Sequence, residues 1–572
     1  MVDLESLPQT GSFRPLSIWP GPTPPGEVLD LEMNQESSLP WDDVLELDVS
    51  GTEDGSRADP SELAWPAFLG RRIESPFETG NEGGNVSLGG DYGSFSLARD
   101  TNEYTEHCLS PMLVARNFAA DNFDSKICLR IANPSPWHNL PDNGRLNVFA
   151  NLYFTRFNPT MPFLHSTSFQ VTRENGLIFL SVCVVGSQLT GRLQDVQIGR
   201  RMFDRVQSAI MASWQKAFLS SSNSKDPFSL IYAGIVCTQF ALHSAAPKDL
   251  FLAECLHGLV TAGMRAIARR QEITANKHNI QLALNQGETL EEAWRQWAEA
   301  EQRARAYHAM RIHDVELATL LHHEPLCRHR QFDAPLTATN DLFLAPSAES
   351  WAALYRQHHH PYEVDPGPMN SSISAYSNLH SIRGQLIDAR RSHTLDDAAV
   401  RRFSHMLKEW WQANFRSRLV KDPDTSLSQI LWHSSYISLY ADCDLLERVL
   451  CAGGESAQFQ PGAHAATTAR SWAMSGDAQV CLLHAAVLQR HAASLSLVVE
   501  PPLHVSRALF QACLVWLAIW RLTTTHPGIK AGQRQKNAMD QVYSVVDLLE
   551  RLGRLGYSRV LSARLKGAIE ME

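Results

Sequence analysis

From about residue 140 the apolar positions fall at helical spacing. Leu146, Phe149, Tyr153 and Phe157 lie three or four residues apart, which predicts an amphipathic helix with an aromatic face. Asn158-Pro159-Thr160-Met161-Pro162 must end it, because proline offers no amide hydrogen and disfavours helix in the residue before it. Phe163, Leu164, His165 and Phe169 follow as a short apolar re-entry. Residues 177–188 are apolar all round and read as a buried helix. The span 197–218 carries Ile198, Met202, Val206, Ile210 and Phe218 on one face, and helices over 228–243 and 251–267 come next. A polar loop fills 271–289, and 291–326 forms a long helical block. After a Pro/Gly-rich break at 361–372, further helices are expected over 373–390, 398–415, 427–451, 469–497, 503–522 and 537–555. The pattern makes the chain all-α: one large multi-helix unit over 106–572, with a waist near 365, preceded by residues 1–105. There no helical period persists, and Gly, Pro, Ser and acids dominate; such a segment buries too little apolar surface to offset its ordering entropy and is read as disordered.

Charge sharpens this division. The 572 residues carry a net charge of −10. Residues 1–105 hold twenty acidic and five basic side chains, a net of −15, and the remainder is close to neutral at +5. Twelve acids between Glu27 and Glu62 are interleaved with large apolar residues, which is the composition of an activation segment. Its candidate anchors are Leu31, Trp41, Leu45, Trp65 and Phe68, which a coactivator groove could capture as a short induced helix. The alternative is an acidic tail that only solubilises the chain.

Several chemistries lack their residues. The ten cysteines include no Cys-x-x-Cys spacing, which argues for a reducing compartment and against a disulfide framework or a zinc finger. The start, MVDLESLPQTGSF, has neither a basic opening nor an apolar core, so no signal peptide is expected. The most apolar run, 509–522, reads as too short and too polar to span a bilayer, and a soluble intracellular chain is expected. No phosphate loop and no Gly-x-Ser-x-Gly elbow is present. Asp42-Asp43-Val44-Leu45-Glu46 fits the acidic magnesium motif of helical terpenoid synthases, but that motif must sit on a core helix opposite a second ligand set. The only pair that could open such a set, Asn340-Asp341, has Leu344 where a serine is required.

The helix, the Pro-x-x-Pro break and the following aromatic with His165 resemble the opening of the fungal-specific transcription factor domain, or middle homology region. Val184-Val185-Gly186 stands where that family's second helix ends in an Ala-Leu-Gly-like turn. Trp297, Glu301, Arg303, Arg305, Tyr307, Asp314 and Pro325 follow the order of its second block, a helix pair, with Met310 or Ile312 at the usual phenylalanine. Pro335, Ala345, Ser347, Ala348 and Trp351 match its third block, in which Phe343 replaces a tryptophan. The resemblance covers 140–360 best and is closest to the version found in regulators bearing two-Cys two-His zinc fingers. It implies a nuclear regulator of RNA polymerase II genes, an activator rather than an enzyme, serving a metabolic or biosynthetic pathway. Its partners would be coactivators or the transcription machinery and a DNA-binding partner protein, without direct DNA contact, membrane contact or a catalytic residue. No cofactor is expected in this chain, with zinc only in a finger module lying outside it. The competing readings are a terpenoid-synthase-like helical enzyme and an adaptor that binds another regulator. Within the blocks, Trp297, Trp351 and Tyr307 are read as core packing residues. Glu301 and Arg305 read as an i,i+4 ion pair, Asp314 and Arg311 as a similar one, and His165 as a satisfied structural histidine.

The chain by itself should therefore show no sequence-specific shift of duplex DNA at physiological salt and carry no stoichiometric zinc. An excess of five positive charges over more than four hundred and sixty residues is too dilute to neutralise many phosphates. A mobility-shift titration with metal analysis checks this, and a sequence-dependent shift at nanomolar protein contradicts it.

Overall fold

The computed structural model describes Arg116, Phe118 and residues 141–570, apart from 173, 220–226, 271–288, 330–334, 336, 359–371, 416–422, 452–462, 497, 524–528 and 554–555. Leu31, Trp41, Leu45, Trp65 and Phe68 lie outside these residues, as do Asp42-Asp43 and the expected waist near 365. Among the described residues every regular element is helical, and seventeen α-helices follow one another.

Helix α1 (Asn143–Leu152) starts at Asp142, whose carboxylate accepts the Arg145 amide at 2.8 Å. It widens into a π turn over Tyr153–Phe157 and tightens into a 3-10 turn over Asn158–Thr160, where Pro159 stops it. Helix α2 (Gly176–Gln188) is buried on nearly every face. Gly186 lies inside α2 rather than in a turn after it. A Cβ there would stand 1.9 Å from the carbonyl oxygen of Phe149, so only glycine lets α1 and α2 meet this closely. Helices α3 (Leu193–Leu219), α4 (Phe228–Ser244) and α5 (Pro247–Arg270) complete the first layer, with α2 packed on α1, α3 and α4. Phe251, expected to begin the apolar stripe of α5, is 64% exposed; Ala253, Leu256, Val260, Met264 and Ile267 form that stripe.

Helix α6 (Leu290–Leu321) begins in a capping box. The Thr289 side chain accepts the Glu292 amide, and the Glu292 carboxylate accepts the Thr289 amide at 2.9 Å. It is one continuous helix where the resemblance implied a pair, and His322 closes it in the left-handed region at φ 56. Short α7 (Asn340–Phe343) and α8 (Ala348–His358) fold back on its first half and bury Trp294, Trp297, Phe343 and Trp351 together.

Helix α9 (Ser372–Arg391) packs on α6, on α10 (Asp397–Phe415) and on α11 (Pro423–Tyr440). The single helix expected over 427–451 is two, because Asp442 accepts the Leu445 amide at 2.9 Å and starts α12 (Cys443–Leu450). Ser475 likewise separates α13 (Ala463–Ala473) from α14 (Gly476–Ala493). Helix α15 (Leu503–Leu522) runs six residues further back than the apolar stretch read from sequence, and so is long enough to cross a bilayer. Yet 94% of its most apolar window is buried, and α11, α14 and α16 (Ile529–Leu552) pack against it, which makes it a core helix. Helix α17 (Gly556–Glu570), which no periodicity announced, covers α15 and α16.

Trp351 is fully buried, with the rings of Trp297 and Tyr355 centred 5.4 and 5.8 Å away. Trp351→Ala should lower stability by roughly 3–5 kcal/mol through lost burial and the cavity left behind. Leu193→Ala, at a position 80% exposed, should change it by less than about 0.5 kcal/mol. Urea unfolding of both variants measures the contrast.

Candidate functional site

The richest polar region of the interior runs along α6. Arg305 is wholly buried there, and its guanidinium reaches three segments. Its Nε donates to Glu301 at 2.8 Å, one terminal nitrogen donates to the Pro162 carbonyl at 3.0 Å and to Asn340 at 2.9 Å, and the other donates to the Ala338 carbonyl at 2.7 Å. Glu301 also accepts the Ala338 amide at 2.8 Å. The Arg305 guanidinium lies 4.0 Å from the centre of the Phe343 ring, on the residue that replaces the family's tryptophan. The proline break thus has a partner, because it leaves the Pro162 carbonyl outside any helix and free to accept. Gln302 fixes the same loop by accepting the His165 amide at 2.8 Å. The His165 ring pairs Nδ1 with the Ser168 hydroxyl at 2.6 Å and sits between Trp294 and Phe343, and burial pushes its pKa down to about 4. Asn340, weighed above as a magnesium ligand, accepts from Arg305 and donates to Ser372 at 2.6 Å.

Two turns on, Asp314 gathers four donors. His257 of α5 and His329 approach its two oxygens at 2.9 and 2.8 Å, and the amides of Leu326 and Cys327 donate at 2.9 and 2.8 Å. Burial alone would raise its pKa, but the hydrogen bonds and field of the two histidines outweigh it and hold the carboxyl well below the usual range. These partners come from other segments, not from Arg311 as expected; Arg311 donates to Ser381 at 2.8 Å. Tyr307, read as core, is only half-buried.

A third group joins α6, α9 and α15. Glu316, His380 and His504 are all buried, with one ligand-type atom from each within 4.8 Å of the others. Two imidazoles and a carboxylate are a set suited to a divalent metal. However, His504 Nε2 bonds the Leu427 carbonyl at 3.0 Å and so carries the hydrogen, while Nδ1 accepts the Tyr376 hydroxyl at 2.6 Å, leaving no free lone pair. Arg383 adds a positive field that opposes a second cation. His504 is thus committed to other partners, while His380 sits with both ring nitrogens buried and without a hydrogen bond, its Nδ1 3.7 Å from Glu316. The trio borders a cavity of about 40 Å³ lined by Phe157, Met161, His313, Glu316 and Tyr376.

Glu301 and Arg305 were visible in the sequence as an i,i+4 pair. His257, Glu316, His380, Arg383 and His504 are ionisable residues on helix faces that are otherwise largely buried, which is the signal sequence offers for them; His329, between two arginines, offers none.

Burial pushes the pKa of Glu316 up to about 7, against the pull of Arg383 and Arg507. A folded value above the unfolded one means that the folded chain holds this proton more tightly. Its stabilisation is complete below about pH 4 and is lost as pH rises through 7. Glu316→Gln should therefore match the natural chain near pH 4 and exceed it at pH 8, by up to roughly 3 kcal/mol. Urea unfolding across that range reads the difference, and a gap that shrinks with rising pH contradicts it.

Residues 150–412 match the family of the fungal specific transcription factor domain. The match opens inside α1, closes inside α10 and takes in the Arg305 clamp, Asp314, Glu316 and His380 but not His504. A transcription factor of Gibberella fujikuroi is 20% identical over 197 residues, covering 34% of this chain and 24% of that protein. The nicotinate catabolism cluster-specific transcription factor of Emericella nidulans is 24% identical over 209 residues, covering 36% of this chain and 23% of that protein. The matched stretches thus amount to about a quarter of the length of these curated relatives. No solved structure matches. The likeness to the fungal specific transcription factor domain thus rests on residues 150–412, a little under half of the chain.

Proposed function

We propose that the chain is a fungal transcription regulator acting on RNA polymerase II genes of a metabolic or biosynthetic pathway. The observation that carries this reading is the family match over 150–412. One relative's name ties it to a single catabolic gene cluster, which supports a pathway-level role. The reading makes the protein nuclear and non-enzymatic, and its helical part regulatory. The buried charges of α6 agree with this, since they are committed to joining helices rather than presented to a substrate. Residues 1–105 act as the activation segment, with Leu31, Trp41, Leu45, Trp65 and Phe68 as anchors for a coactivator groove. DNA is reached through a finger module or a bound DNA-binding partner.

Fused to a heterologous DNA-binding module, residues 1–105 should activate a reporter. Trp41→Ala with Trp65→Ala should cut that activation several-fold while leaving protein levels unchanged. A silent fusion, or activation untouched by both substitutions, rejects the N-terminal role.

A further inference from the structure

Helices α9, α11, α12 and α15 converge on a second cavity of about 40 Å³, separate from the Glu316 junction. Arg383, Arg390, Arg391, Arg507 and Asp444 line it, four guanidinium groups against one carboxylate. Two of the four are neutralised. Arg507 donates to Glu447 at 3.1 Å, and Arg391 to Asp444 at 3.3 Å. The other two have only neutral partners. Arg383, 4% exposed, donates to the Ser434 hydroxyl at 2.6 Å and to the Gln511 side-chain carbonyl at 3.4 Å. Arg390 donates to the Ser438 and Leu439 carbonyls at 2.8 and 3.0 Å. Among the described residues neither has a carboxylate within 4.0 Å. The Nε atoms of Arg390 and Arg507 are buried without a hydrogen-bond partner. The field of Glu316 reaches Arg383 without a direct ion pair.

A buried guanidinium without a counter-charge is expensive, and Arg383 is one; Arg390, half-exposed beside it, meets only the carbonyls at the end of α11. The planar fork of a guanidinium matches the spacing of two oxygens on a carboxylate or phosphate. Leu386, Ile387 and Ala441 add an apolar wall to the same cavity. Its volume is roughly three times what one water needs, which suits an oxyanion with a few carbons. We propose that this cavity binds a small organic anion through its carboxylate or phosphate group, with Arg383 and Arg390 as the recognising residues. Bound there, the anion would tie α9 to α11, α12 and α15. The proposal stands on charge and geometry alone, so it survives or fails independently of the transcriptional reading.

Calorimetric titration of the full chain with inorganic phosphate and, separately, with succinate, each at chloride-matched ionic strength, tests it. At least one anion should bind saturably. Binding of phosphate alone or of succinate alone assigns the headgroup, and mutual displacement places both in one site. Arg390→Gln, at a half-exposed position, and Arg383→Gln should each weaken binding about tenfold or more. Arg401→Gln on the exposed face of α10 should leave it unchanged. If Arg383→Gln fails to fold, the contrast between Arg390→Gln and Arg401→Gln carries the test. Absence of saturable binding of either anion, or affinity that Arg390→Gln leaves intact, overturns the proposal.

Discussion

The structure turns on one buried cation. Arg305 carries a full charge in a place with no solvent, and desolvation there costs several kcal/mol unless every donor is met. Four acceptors from three different stretches meet it: Glu301, Pro162, and Ala338 with Asn340. Satisfying Arg305 therefore fixes where the proline break, the middle of α6 and the start of α7 stand relative to one another. Losing any one acceptor leaves part of a buried charge uncompensated, and truncating one partner of such a group costs more than the pair contributes. The tryptophan cluster beside it is the apolar half of the same junction, held in register by Phe343 under the guanidinium.

The same device recurs along α6. Asp314 draws in α5 and the loop that follows α6, and Glu316 with Arg383 faces α9, α11 and α15. Three acid-centred junctions at intervals along one 32-residue helix make it the common wall between the first helices and the last. Apolar burial supplies most of the driving force but is indifferent to small slips between helices; hydrogen-bonded charges are not.

The helices were legible because burial leaves a 3.6-residue signature, and α2, α4 and α15 carry it plainly. The Glu301–Arg305 pair was legible because its members lie four apart. What stayed hidden is non-local. Nothing near Asp314 in sequence marks His257, fifty-seven residues away, as its partner. The breaks at Asp442 and Ser475 escaped because a cap is a single side chain choosing one amide, and the apolar period continues across both. Gly186 reads as a helix end in one dimension and as a contact point in three.

Helix α15 lies beyond the stretch that shares the family's sequence, yet it supplies His504 to the Glu316 junction and Arg507 to the wall of the arginine-lined cavity. Likeness and folding therefore have different borders in this chain. The match ends at residue 412, while the interior that it helps build is finished by helices beyond it.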